Sequence, residues 1–229
     1  ETVNLVSSHD GTTALLATDD NTITSAVLTN ATTLNMSGSD QLAVTVATTT
    51  TLTTADASTM TDDVSLTLDN VTADTTVKTG SGDDTISMAA KLNNADTIDG
   101  GANSLSTTVD TLSATVTGLT ATTGALNVSN VERLNLTNGG TTVIDATNIA
   151  GANEIAIITN TTKATVSNLA AAQTVALGTF DTDGAYGGIL VTSLADETGT
   201  EDSVTINLND TATGNNNTVT LQATAIETV

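Results

Sequence analysis

The chain has no cysteine, no proline and no tryptophan, and only one phenylalanine, one tyrosine and one histidine in 229 residues. Without cysteine there is neither a disulfide framework nor a thiolate metal site. A globular enzyme of this size normally fills a compact core with aromatic rings, and here they are almost absent. A zinc site is not expected with one histidine and no cysteines. That histidine, His9, lies in Ser7-Ser8-His9-Asp10-Gly11, a local cluster rather than a triad assembled from separate elements, and reads as a surface turn residue. Carboxylates are plentiful, but no aromatic platform for stacking a sugar accompanies them. Catalysis is therefore not expected. Cations are scarce as well: Lys78, Lys91, Arg133 and Lys163 face 26 acidic residues, for a net charge of −22. Such a chain cannot neutralise phosphates, which excludes nucleic acid and anionic membrane as partners. No stretch resembles a signal peptide, a lipid anchor or a membrane span. The opening Glu1-Thr2-Val3-Asn4-Leu5 reads as a cut from a longer protein, so a missing export signal says little.

What the chain does have is threonine, 54 residues of it, with an apolar set made almost wholly of Val, Leu, Ile and Ala. Branched and small side chains suit a stack of thin β-layers. Short runs alternate apolar and polar, as in Gln41 to Val46, Asp63 to Leu68, Ser203 to Leu208 and Thr218 to Leu221, which is the strand signature. Turn-forming residues separate such runs at Ser37 to Asp40, Asn138 to Gly140 and Gly214 to Asn217. The best helix candidate is Ser167 to Gln173, with Ala170-Ala171-Ala172, at one or two turns. The phrase Glu1-Thr2-Val3-Asn4-Leu5 is echoed by Glu132-Arg133-Leu134-Asn135-Leu136. The expected fold is all-β: an elongated, largely parallel β-solenoid or β-roll with irregular calcium-binding loops. Residues 1–229 form one such unit, a piece of a longer array, with two lobes meeting near 113–125 as the alternative.

The most specific motif is Thr79-Gly80-Ser81-Gly82-Asp83-Asp84-Thr85-Ile86-Ser87, close to one unit of the calcium-binding β-helix repeat G-G-x-G-x-D-x-U-x, where U is a large apolar residue. Gly80 and Gly82 would turn backbone carbonyls towards a cation, and Asp84 would add the hard anionic oxygen that calcium prefers. Asp83 belongs to a neighbouring position. The alternative is an ordinary Gly-Asp turn. A looser copy, Asp96-Thr97-Ile98-Asp99-Gly100-Gly101, and the ending Asp110-Thr111-Leu112 follow. They make Asp96, Asp99, Gly101 and Asp110 further calcium candidates. Steps of 12 and 14 residues between Asp84, Asp96 and Asp110 exceed the nine of a regular β-roll repeat and imply an insertion. Asp181 and Asp183 in Asp181-Thr182-Asp183-Gly184 also offer alternating oxygens. An EF-hand is rejected there, because position 192 is Thr where a bidentate acid is needed.

These phrases, with Val128-Ser129-Asn130-Val131-Glu132-Arg133-Leu134-Asn135-Leu136, resemble RTX-type calcium-binding proteins, above all the surface-layer (S-layer) proteins exported by bacterial type I secretion. The resemblance covers roughly residues 79–150 and departs from the repeat at Thr79, where the family usually has glycine. It implies a secreted, cell-surface structural protein that calcium orders and that self-associates into a lattice or filament. Contact with a cell-surface polysaccharide would run through other regions. The alternative it leaves is a stalk or binding module of a large RTX adhesin.

Overall fold

The computed structural model describes residues 1–8, 21–49, 51–103, 109–120, 122–138, 140–160, 163–177, 187–195, 203–208 and 218–223. The chain winds as a parallel β-solenoid of about seven coils. The first coils alternate β1 (Thr2–Ser7), β2 (Asn21–Val27), β3 (Thr33–Gly38), β4 (Leu42–Thr48), β5 (Thr54–Met60) and β6 (Val64–Thr67). The middle coils follow with β7 (Thr76–Lys78), β8 (Thr85–Ala89), β9 (Thr97–Asp99), β10 (Thr111–Val116), β11 (Asn127–Ser129) and β12 (Arg133–Asn138). The last coils hold β13 (Thr142–Asp145), β14 (Ile149–Ala150), β15 (Glu154–Asn160), β16 (Lys163–Leu169), β17 (Thr174–Leu177), β18 (Gly187–Leu194), β19 (Thr205–Leu208) and β20 (Thr218–Ala223).

Three parallel sheets result. Sheet A stacks β1-β3-β5-β7-β9-β11-β14, sheet B runs unbroken as β2-β4-β6-β8-β10-β12-β15-β17-β19, and sheet C holds β13-β16-β18-β20. Thr33 pairs with Thr54, Thr54 with Thr76 and Thr76 with Thr97, so a regular coil takes 21 or 22 residues. The cross-section changes along the axis. Sheet A shortens from six or seven residues per strand at β1 to β5 to three at β7, β9 and β11 and two at β14. As it shrinks, the irregular third side of the early coils becomes sheet C.

Alternation explains this arrangement directly. In each strand every second residue points inward, and Leu34, Leu66, Ile86, Ile98, Leu112 and Leu134 are buried completely or almost so. Each such side chain contributes about 1.5–3 kcal/mol by leaving water. The outward positions carry the threonine. Thr2, Thr33, Thr54, Thr76 and Thr97 stand in one column on sheet A, where β-branched side chains fit the pleat.

Two expectations are corrected. Ser167 to Gln173 is not a helix: Ser167 to Leu169 complete β16, and Ala170 to Gln173 form a turn closed by the Gln173 N–H on the Ala170 carbonyl at 2.9 Å. Asn168 sits at φ +58°, a left-handed conformation that a right-handed helix does not contain, at the register shift of β16 between Val166 and Leu169. The echo of Glu1-Thr2-Val3-Asn4-Leu5 in Glu132 to Leu136 does not join equivalent positions either, since the first copy starts sheet A and the second starts a strand of sheet B. Among the described residues the one helical segment is a 3₁₀ turn at Ala146–Asn148.

Candidate functional site

The repeated Asp-Thr-apolar phrase has a clear structural role. Thr85 pairs with Thr111, and Thr111 with Arg133. The residues just before them, Asp84, Asp110 and Glu132, therefore stack in one column at the corner where sheet A hands over to sheet B. Each carboxylate reaches back one coil and accepts a backbone N–H. The Val64 N–H donates to Asp84 Oδ1 at 2.7 Å, the Asp84 N–H to Asp110 Oδ1 at 2.8 Å, and the Asp110 N–H to Glu132 Oε2 at 2.8 Å. An outer column runs beside it: the Asp83 N–H donates to Asp63 Oδ1 at 2.7 Å, and the Val109 N–H to Asp83 Oδ1 at 3.0 Å. Charge-assisted bonds of this kind are about twice as strong as neutral ones.

Asp96 obeys the same rule at the start of sheet A. Its Oδ1 accepts the Thr75 N–H at 2.7 Å and its Oδ2 the Asn93 N–H at 2.8 Å. Asp84 and Asp110 thus stand in successive coils of one column, while Asp96 belongs to another corner, so the 12- and 14-residue steps are not irregular copies of one nine-residue repeat. Asp99 accepts the Gly101 N–H at 3.1 Å and the Asn130 side-chain amide at 2.7 Å.

The glycines serve close approach between coils. The Gly80 carbonyl accepts the Ala102 N–H at 3.1 Å. Gly101, at φ +86°, lies so near that a Cβ there would stand 2.0 Å from the Gly80 oxygen. Gly82, at φ +144°, abuts the Asp63 carboxylate. Thr79, the departure from the repeat pattern, is buried and donates its hydroxyl to the Gly100 carbonyl at 2.7 Å, a tether that glycine could not supply. Asp181, Asp183 and His9 lie outside the described residues.

Burial leaves part of this column unsatisfied. Asp84 and Asp110 are each 1% exposed, and Oδ2 of both is buried without a hydrogen-bond partner. Burial pushes the Asp84 carboxyl up, against the pull of the Val64 N–H, and the Asp63 charge adds to the rise. Asp110 is pushed up to about 7, first by burial and then by the charges of Asp84, Glu132 and Asp83, which outweigh the Asp84 N–H bond. Burial also raises Asp96, against two backbone amides.

A buried anionic oxygen without a partner is costly, and a small hard cation is one species that would relieve it. By that test Asp84 Oδ2 and Asp110 Oδ2 are the two oxygens of the column open to a cation, while Asp96 has both oxygens bonded. Among the described residues no three His, Cys, Asp or Glu side chains converge on a metal position. Asp63, which the sequence with Asp62 presents as a solvated charge or rim contact, belongs to the outer column, and Glu132, to which the sequence assigns no ligand role, continues the inner one. Their signal was an acid immediately before an alternating run, as at Asp63-Val64 and Glu132-Arg133. No family model, no curated protein and no solved structure matches this chain.

Proposed function

We propose that this chain is a structural segment of an extracellular surface array, similar to RTX-type S-layer proteins, whose coils are drawn together by calcium. The observation that carries the reading is the column of buried carboxylates, with Asp84 Oδ2 and Asp110 Oδ2 unpartnered, inside a repeating solenoid. Bound calcium would supply positive charge to that column. The chain's own residues do the rest. Asp84, Asp110 and Glu132 tie consecutive coils through backbone amides, Thr79 and Gly80 to Gly101 hold the corner tight, and the outward threonine columns leave a neutral polar face on each coil. A net charge of −22 opposes compaction until cations screen it. That suits a polypeptide secreted to a calcium-rich cell surface, where it assembles with further copies and catalyses nothing.

The experiment is a calcium titration of the chelated protein, followed by far-ultraviolet circular dichroism and light scattering together, with magnesium as the control. The reading requires a calcium-specific gain of β signal with growing particles. A gain without growth moves the weight to an adhesin stalk. A β signal complete in chelator and unchanged by calcium removes the calcium role.

A further inference from the structure

Among the described residues five side-chain oxygens are buried without a hydrogen-bond partner. Two are the hydroxyls of Thr142 and Thr192, which lie within strands of sheet C. The other three, Asp84 Oδ2, Asp110 Oδ2 and Asn103 Oδ1, belong to one corner, between the end of a sheet A strand and the start of a sheet B strand. Turns of two successive coils meet there, and they are tied at close intervals. The Thr79 hydroxyl donates to the Gly100 carbonyl at 2.7 Å, and the Ala102 N–H donates to the Gly80 carbonyl at 3.1 Å. A Cβ on Gly100 would stand 2.9 Å from Asp110 Oδ2, so this carboxylate oxygen turns in against the start of its own turn. The other Asp110 oxygen accepts the Asp84 N–H at 2.8 Å. Asn103 follows Ala102 directly, and from a half-buried residue its side chain carries a fully buried oxygen. All three oxygens are acceptors, and one water, with two protons to give, cannot serve three acceptors at once.

We propose that Asn103 Oδ1 joins Asp84 Oδ2 and Asp110 Oδ2 as the third oxygen of one divalent-cation site, which clamps the two corner turns together. This site rests on the calcium reading given above, and Asn103 adds to it a neutral ligand. The two carboxylates bring two negative charges, so a divalent cation leaves the set neutral. A monovalent cation would leave a net charge buried in the corner, which is costly. The amide supplies an oxygen without adding charge. Burial selects calcium over magnesium, because magnesium dehydrates reluctantly and keeps several waters, whereas Asp84 and Asp110 are almost wholly shielded from solvent. The calcium-binding repeat has glycine at the place that Asn103 takes in Gly100-Gly101-Ala102-Asn103. A side-chain ligand there is a feature of this chain rather than of the repeat.

The test is calorimetric calcium titration of the wild-type chain beside Asn103→Ala and Asn103→Asp, with urea unfolding of all three in chelator. Alanine removes the oxygen and should weaken calcium binding at least tenfold. In chelator the alanine variant should be as stable as wild type, because Asn103 Oδ1 has no bond to lose. Aspartate sets a third charge at the same place. It should lower stability in chelator and tighten calcium binding at least tenfold. An amide that holds the acids through its N–H instead would make the alanine variant weaker than wild type in chelator, and that result overturns the proposal. Equal calcium affinity in wild type and both variants overturns it too, while leaving the acidic column as a calcium site. A wild-type chain that binds no calcium removes the column reading itself and this site with it.

Discussion

Replacing Asp110 by asparagine should stabilise the chelated protein at alkaline pH and do little at acid pH. The Asp110 carboxyl is raised from 3.8 to about 7 in the folded chain, so folding favours its protonated form. A raised folded value means that this contribution is fully present below about pH 4 and is lost as pH rises to about 7. At about 1.4 kcal/mol for each pH unit, the loss across that window is about 4 kcal/mol. Asp84, raised as well, acts in the same direction. The asparagine side chain of the D110N variant keeps an oxygen for the Asp84 N–H and has no proton to lose, so the variant should lose less stability across this range than the wild-type chain, keeping only the dependence that Asp84 and Asp96 add. Urea unfolding in chelator at pH 5 and pH 8 measures both chains. The expected result is a wild-type chain that weakens between the two, and a D110N chain more stable than wild type by about 2–4 kcal/mol at pH 8. A wild-type stability independent of pH over this range, or an asparagine variant weaker than wild type at pH 8, would refute the reasoning.

Other perturbations separate the roles of neighbouring residues. Asp96→Ala strands the Thr75 and Asn93 backbone amides and should cost about 2–4 kcal/mol, read as a lowered urea midpoint with an unchanged slope. Gly101→Ala meets a positive φ and the Gly80 carbonyl together and should cost about 2–3 kcal/mol, visible in the same assay; an alanine variant as stable as wild type would mean that the two coils do not approach so closely there.

Strand positions were legible because alternation is a local property. Leu42, Val44 and Val46 all turn inward as the spacing requires. The Asp-Thr-apolar phrase was legible as a repeat, but its work was not. The N–H that Asp84 accepts belongs to Val64, twenty residues back, and no local pattern reveals a partner on another coil. Coil length was hidden for a related reason. Loops between the strands vary, as where Thr97 pairs with Asn127 rather than with a residue one regular coil away, so a search for a fixed period finds none. The alanines before Gln173 have high helix propensity, yet inter-coil pairing on both sides leaves that segment only the width of a turn. Gln173 itself carried no sequence signal, because the Ile149 carbonyl that its side chain meets lies on another coil.

The most direct test of the acidic column is calorimetric calcium titration of the wild-type chain beside a D84N/D110N double variant. Asparagine at both positions keeps the acceptors for Val64 and Asp84 while removing the two unpartnered anionic oxygens. If the column draws its coils together through a cation, the wild-type chain binds at least one calcium that the double variant does not, and the variant folds in chelator. Equal calcium binding by both chains, or none by either, would contradict the account.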